Sequence, residues 1–211
     1  MSRRIIGLTG NIATGKSAVM RLAAERGALT IDADRVVHEL LATDAAIQSA
    51  VAAAFGAGVR RADGGIDRAA LGGIVFGDAD RLRQLEGILH PAVRAEIARR
   101  VQMTDAPVIM IEAIKLLEGA LAALCGQVWV TACARETQLA RLRVCRGLSE
   151  AEAVARIDAQ SSQADKIARA DVVIDTDGLL RETEEQVQAA WASLLGRGAG
   201  EQGGRGEAPS P

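Results

Sequence analysis

The chain has no tyrosine, and its aromatic content of 2% rests on two tryptophans and two phenylalanines. That scarcity argues against a surface that binds nucleic acid by stacking bases on rings, and it leaves the core to Ala, Val, Ile and Leu. An excess of one charge is also missing: 25 Lys and Arg stand against 27 Asp and Glu, a formal net charge of −2. The broad positive field of a protein drawn to nucleic acid or to a membrane surface is therefore absent, and any basic site is local. Only three cysteines occur, Cys125, Cys133 and Cys145, without C-x-x-C spacing. They read as free thiols of a cytoplasmic protein, not as a disulfide framework or a metal site. No apolar run approaches the length of a membrane span, and the first apolar segment leads into glycines, which does not fit a leader peptide.

What is present is 49% hydrophobic and 25% charged residues over 211 positions, enough for one substantial core with inserted subdomains. Five short runs rich in Val and Ile punctuate the chain: RRIIGLT (Arg3 to Thr9), ALTIDAD (Ala28 to Asp34), PVIMIEA (Pro107 to Ala113), QVWVTAC (Gln127 to Cys133) and DVVIDT (Asp171 to Thr176). Runs of this kind separated by helical patterns predict an α/β fold, a five-stranded parallel sheet covered on both faces by helices. About seventy residues of largely helical pattern between the second and third runs predict a helical insertion. Within it, Gly56 to Asp67 reads as a loop, and a helix from Asp80 to Val101 accommodates or is kinked by Pro91. A second helical pair, Glu136 to Gln163, turns at RGLSE, where Ser149 can cap a helix. The Gly- and Pro-rich tail from Gly196 to Pro211 has nothing to bury and is expected to be mobile.

The stretch GNIATGKS, Gly10 to Ser17, fits G-x-x-x-x-G-K-[ST]. Glycines let the backbone turn its N–H groups onto phosphate oxygens, a lysine adds a point charge at the terminal phosphates, and a Ser hydroxyl faces Mg²⁺. The positive end of the following helix points at the same phosphates. A ligand-free turn is the plain alternative, but an apolar strand before and a helix after are the context this motif demands. The expected nucleotide contacts are Gly10, Asn11, Ile12, Ala13, Thr14, Gly15, Lys16, Ser17 and Ala18. No N-K-x-D sequence for reading guanine follows a late strand, so ATP is the expected nucleotide.

Asp32 and Asp34 stand two residues apart at the end of the second run, on one face if the chain is still extended there. That strand end is where open α/β sheets bind ligands. A kinase needs a carboxylate to accept a hydroxyl proton and oxygen ligands for metal, and either Asp can instead cap the next helix. Glu112, at the end of the third run, stands where an acidic group near Mg²⁺ is expected, so Ser17 and Glu112 are the candidate metal ligands. His38 and His90 read as structural. Arg135, Arg141, Arg143, Arg146 and Arg156 lie in the second helical pair, where an arginine can clamp triphosphate oxygens.

In order, IIGLTGNIATGKS, IDADRVVHELL, GGIDRAALGGIVFGD with LEGILHPAV, RLRVCRGLSEAEAVARIDAQ and ARADVVIDTDG resemble the dephospho-coenzyme A kinase family over about residues 4 to 195. The resemblance implies a P-loop enzyme that moves the γ-phosphate of ATP, with Mg²⁺, to the ribose 3′-hydroxyl of dephospho-coenzyme A. Asp34 then matches the catalytic carboxylate, Lys16 and Ser17 the phosphate and metal contacts, and Arg141 the lid arginine. It also implies a nucleotide core at 1–33, 104–134 and 167–195, an acceptor-binding insertion at 34–103 and a lid at 135–166. A monomer or small homo-oligomer is expected. The rival readings are another P-loop small-molecule kinase, of nucleoside, nucleotide or shikimate type, and an inactive nucleotide-binding regulator.

The chain departs from the family pattern at four places. Ile114-Lys115-Leu116-Leu117-Glu118 replaces P-L-L-F-E, Gln163 stands for a common arginine, and Thr176 for a common asparagine. Ala13-Thr14 fills loop positions where Gly or Ser is common, a change tolerated if both keep φ negative.

Overall fold

The computed structural model describes residues 3–196. The tail expected to be mobile lies outside the described residues, apart from Gly196, which closes the last helix. The order of elements is β1 (Arg4–Thr9), α1 (Lys16–Glu25), β2 (Leu29–Asp32), α2 (Ala33–Thr43), α3 (Ala45–Phe55), α4 (Arg68–Val75), α5 (Ala79–Gln102), β3 (Val108–Glu112), β4 (Gln127–Ala132), α6 (Arg135–Arg146), α7 (Glu150–Asp158), α8 (Gln163–Ala168), β5 (Val172–Asp175) and α9 (Leu180–Gly196). All five expected runs are strands, and they form one parallel sheet in the order β2-β3-β1-β4-β5. Because β1 is central and its two neighbours come later in the chain, the crevice at its carboxyl end is the place where this topology leaves room for a ligand.

The apolar runs alternate between two cores. On β3, Val108 and Met110 face Val19 and Leu22 of α1 and Val187 of α9. Ile109 and Ile111 point the other way, against Val36 of α2 and Val93 and Ile97 of α5. Trp129 of β4 is fully buried and meets Trp191 of α9 edge to face, with ring centroids 6.5 Å apart. Two of the few aromatic side chains are thus spent fastening α9 to the sheet.

The insertion between β2 and β3 has an apolar cluster of its own, including Leu41, Val51, Leu71, Val75, Leu85 and Leu89. All four of its α-helices begin at an aspartate. The carboxylates of Asp32, Asp44, Asp67 and Asp78 accept backbone N–H groups of the first turns of α2, α3, α4 and α5, each cap worth about 1 kcal/mol. Helix α5 runs through Pro91 without a break, at the cost of the N–H that would have reached the Gly87 carbonyl.

Helices α2 and α5 are joined by charge as well as by packing. Arg100 donates to Glu39 and to Glu96, and Arg99 also donates to Glu96. The two guanidinium partners hold the Glu96 carboxyl down at about 2, against an ordinary 4.5. A folded-state pKa below the unfolded one gives stability that is present above pH 4.5 and lost as pH falls towards 2. Because the partners are partly in water, Glu96→Gln is expected to cost no more than about 1 kcal/mol at pH 7. In urea unfolding, the gap between variant and wild type should narrow steadily below pH 4.5.

Candidate active site

The site is built where β1 ends. Leu8 and Thr9 are fully buried, and the chain leaves the sheet through Gly10 at φ +149. A Cβ there would come within 2.3 Å of Thr131 Oγ1 and 2.7 Å of Thr14 Oγ1, so Gly10 is required both by conformation and by space. Gly15, at φ +85, hands the loop to α1. From Asn11 to Ala18, among the described residues, the N–H groups fall into two sets. Those of Asn11, Ile12, Thr14 and Ala18 have acceptors, whereas those of Ala13, Gly15, Lys16 and Ser17 have none. Four unpaired donors at the positive end of a helix form an anion cradle.

Lys16 is only 8% exposed. Its ammonium donates to the Gly10 and Asn11 carbonyls at 3.0 and 3.1 Å and lies 3.9 Å from Glu112 Oε1. Burial pulls its pKa down; Glu112 and Asp34 oppose that pull, while Lys166 and Arg146 add to it. The Glu112 carboxyl is pushed up, chiefly by burial and further by Asp32 and Asp34, with Lys16 opposing. The Asp34 carboxyl is pushed up in the same way, by burial first and Asp32 second, with His38 and Lys16 opposing. These carboxyl groups repel one another around a single lysine, an arrangement that a cation would relieve.

The two aspartates do not share a strand face. Asp32 is the N-cap of α2, accepting the Arg35 N–H at 3.1 Å, and Asp34 lies in the first turn. The helix begins at Ala33, two residues earlier than an extended reading of DAD requires. Ser17 is exposed in the first turn of α1. Of the five arginines of the helical pair, Arg141 alone is bonded to the phosphate loop: Nη1 donates to the Ala13 carbonyl at 3.0 Å and to Thr176 Oγ1 at 3.1 Å, and Nη2 donates to the Thr176 carbonyl. Arg135 pairs with Asp158 and Arg143 with Glu150. The expected pair is two helices, α6 and α7, and Gln163 belongs to the next, α8. Ser149 caps α7 through a reciprocal box with Glu152.

The departures from the family pattern each find a place. Thr176 is buried and donates to the Thr14 and Ala132 carbonyls. Lys115 reaches Glu86 of α5 at 2.9 Å, and Leu116 fills the core beneath β1. Ala13 does not keep φ negative: it sits at +61, in left-handed geometry. Its backbone is bent there while its side chain packs with Ile12 against Leu142, Ala153 and Ile157 of the helical pair.

Several residues at the loop were not singled out for it by sequence. Gln160 Oε1 accepts the Ile12 N–H at 2.6 Å, Gln163 Oε1 accepts the Asn11 N–H at 3.1 Å, and Lys166 Nζ donates to Asn11 Oδ1 at 2.8 Å. Gln138 donates to the Ile12 carbonyl. The spacing Gln160, Gln163, Lys166, polar at every third position before β5, was the signal available. A cleft of about 400 Å³ lies on this side of the loop, lined among others by Asn11, Cys133, Arg135, Gln138, Gln160 and Gln163. Lys16, Asp34 and Glu112 are not in its wall, so the cleft and the lysine–carboxylate corner flank the loop separately. The three thiols are free, and burial pushes that of Cys125 up to about 11.

A left-handed alanine costs about 1–2 kcal/mol. Ala13→Gly should therefore raise unfolding free energy by roughly 0.5–1 kcal/mol after the added chain entropy of glycine is subtracted. Urea titration of the two proteins measures the difference.

Comparison with known proteins fits this site. The profile of the Dephospho-CoA kinase family matches residues 4–182. A dephospho-CoA kinase of Symbiobacterium thermophilum is 47% identical over 201 residues, 94% of this chain and 84% of that protein. One from Geobacter sulfurreducens is 41% identical over 191 residues, 89% and 97% of the two chains. The crystal structure of TT1252 from Thermus thermophilus superposes with a TM-score of 0.79 at 30% identity, covering 92% of this chain and 99% of that one. With a phosphate cradle at the end of its central strand and such relatives along nearly its whole length, the chain belongs to the dephospho-CoA kinase family.

Proposed function

We propose that this chain moves the γ-phosphoryl group of ATP to the ribose 3′-hydroxyl of dephospho-coenzyme A, in the last step of coenzyme A synthesis in the cytoplasm. The observation that carries the reading is the conjunction of four unpaired loop N–H groups, the buried Lys16 and the carboxyls of Asp34 and Glu112 at one sheet edge. In the transfer, the 3′-oxygen forms a bond to Pγ as the bond from Pγ to the β,γ-bridging oxygen breaks, and ADP leaves. Asp34 accepts the hydroxyl proton. Lys16 and the N–H groups of Ala13, Gly15, Lys16 and Ser17 hold the phosphate oxygens and stabilise the charge that spreads over them. Arg141, kept against Ala13 and Thr176, supplies positive charge from the lid side.

Mg²⁺ fits the donors on hand. They are hard oxygens, the Ser17 hydroxyl and the Glu112 carboxylate, crowded by like charge from Asp32 and Asp34. No three His, Cys, Asp or Glu side chains among the described residues form a metal group of their own. A Mg²⁺ ion commonly keeps several waters and shares its remaining sites with phosphates. Ser17 and Glu112 would hold it, and it would supply positive charge that offsets the charge of the phosphates. Residues 34–103 would receive the acceptor, and 135–166 would act as a lid that excludes water and so suppresses hydrolysis of ATP.

A coupled ADP-release assay with ATP and Mg²⁺ tests the activity. Turnover is expected with dephospho-coenzyme A and not with AMP, adenosine or shikimate; turnover with one of the others would move the substrate assignment. Asp34→Asn should lower kcat by about 10²- to 10⁴-fold while leaving ATP affinity within a few-fold. Because the Asp34 carboxyl is pushed above its ordinary 3.8, the acid limb of kcat/KM should fall away at a pH above that value. Near-full turnover by Asp34→Asn would remove the proton-accepting role.

A further inference from the structure

Lys166 is 4% exposed, yet its ammonium forms no ion pair among the described residues. Its acceptors are neutral: Asn11 Oδ1 at 2.8 Å and the Ile114 carbonyl at 3.2 Å. Glu118, the carboxylate with the strongest pull on it, accepts a hydrogen bond from Ser161 Oγ. Burying a cation against two neutral oxygens is costly for a fold, and an apolar side chain of similar length generally serves packing better. The charge therefore needs another reason to be there.

Its two partners supply one. Asn11 is the first variable residue of the phosphate loop. The same Ile114 carbonyl accepts Thr9 Oγ1 from the end of β1 and lies two residues beyond Glu112. Asn11 is also held from the lid side, because its Nδ2 donates to the Ser161 carbonyl and its N–H to Gln163. Among the described residues, Lys166 is thus the one side chain that hydrogen-bonds both to the loop and to the segment following the Glu112 strand. We propose that Lys166 is a positioning residue for nucleotide binding, acting through the Asn11 carboxamide to hold the phosphate loop in its anion-binding shape.

The proposal rests on the kinase reading but is tested with nucleotide alone. Binding of a non-hydrolysable ATP analogue is measured by calorimetry for wild type, Lys166→Met, Asn11→Ala and the double variant, with thermal midpoints recorded for each. Lys166→Met should weaken binding about tenfold at an unchanged or raised midpoint. Asn11→Ala should weaken it to a similar extent, and the double variant no further than the worse single one. Lys166→Arg, which keeps a charged donor, should recover most of the affinity. Affinity within about threefold of wild type in Lys166→Met, losses that multiply in the double variant, or a loss that tracks a lowered midpoint would each overturn the proposal. If Lys166→Met does not fold, Lys166→Gln takes its place in the cycle. A wild type that binds the analogue but fails to turn over dephospho-coenzyme A would count against the substrate assignment and leave the Lys166 result standing.

Discussion

A lysine ammonium is kept almost out of water at the end of the central strand, and the rest of the site is arranged around that fact. Lys16 holds to two loop carbonyls and lies 3.9 Å from a single carboxylate. Burial pulls its pKa down; the Glu112 and Asp34 carboxyls oppose that, and their own pKa values are raised by burial first and by neighbouring carboxylates second. The arrangement is balanced for an anion. Under the proposed function, phosphate oxygens on the unpaired N–H groups would give the lysine the partners that its burial denies it, and the cost of burying the charge would be offset on binding.

The sheet makes this placement possible through its aliphatic interior. Val, Ile and Met on β3 alternate between two cores, so the strand ends are fixed by aliphatic packing on both faces. The parallel register then brings Asp32 level with Glu112 and Glu112 level with Leu8. Acidic residues that would be indifferent on a loop are held beside the phosphate cradle because strands of unequal length end at one edge.

What could be read from sequence followed the strength of the local signal. The five strands stood out because continuous Val/Ile runs have few alternatives between helices, and the G-x-x-x-x-G-K-S loop because its glycines and lysine are set by backbone chemistry. Asp32 and Asp34 were legible as functional carboxylates but not in their geometry: the cap at Asp32 competes with strand extension, and a capping aspartate starts a helix at once. Ala13 shows the reverse. No side-chain signal marks an alanine that tertiary contact forces into left-handed geometry. Gln160, Gln163 and Lys166 were not assigned to the loop for a third reason: they lie some 150 residues from it, and their three-residue spacing does not say which distant backbone they face.

The unfavourable features of this fold cluster in one place. The left-handed Ala13, the buried Lys16 and Lys166, and the carboxyls of Asp34 and Glu112 all converge on the phosphate loop, whereas the sheet core is aliphatic and the cost described in the insertion is the hydrogen bond given up at Pro91 of α5. That distribution is expected when binding and catalysis need groups that folding alone would not select. It also explains why the loop is tied from outside by Gln138, Arg141, Gln160 and Gln163, three of which are only half-buried. An eight-residue turn with four unsatisfied donors has little reason to hold one shape by itself, so its conformation is borrowed from the helices that pack over it, and any motion of those helices must be felt at the phosphates.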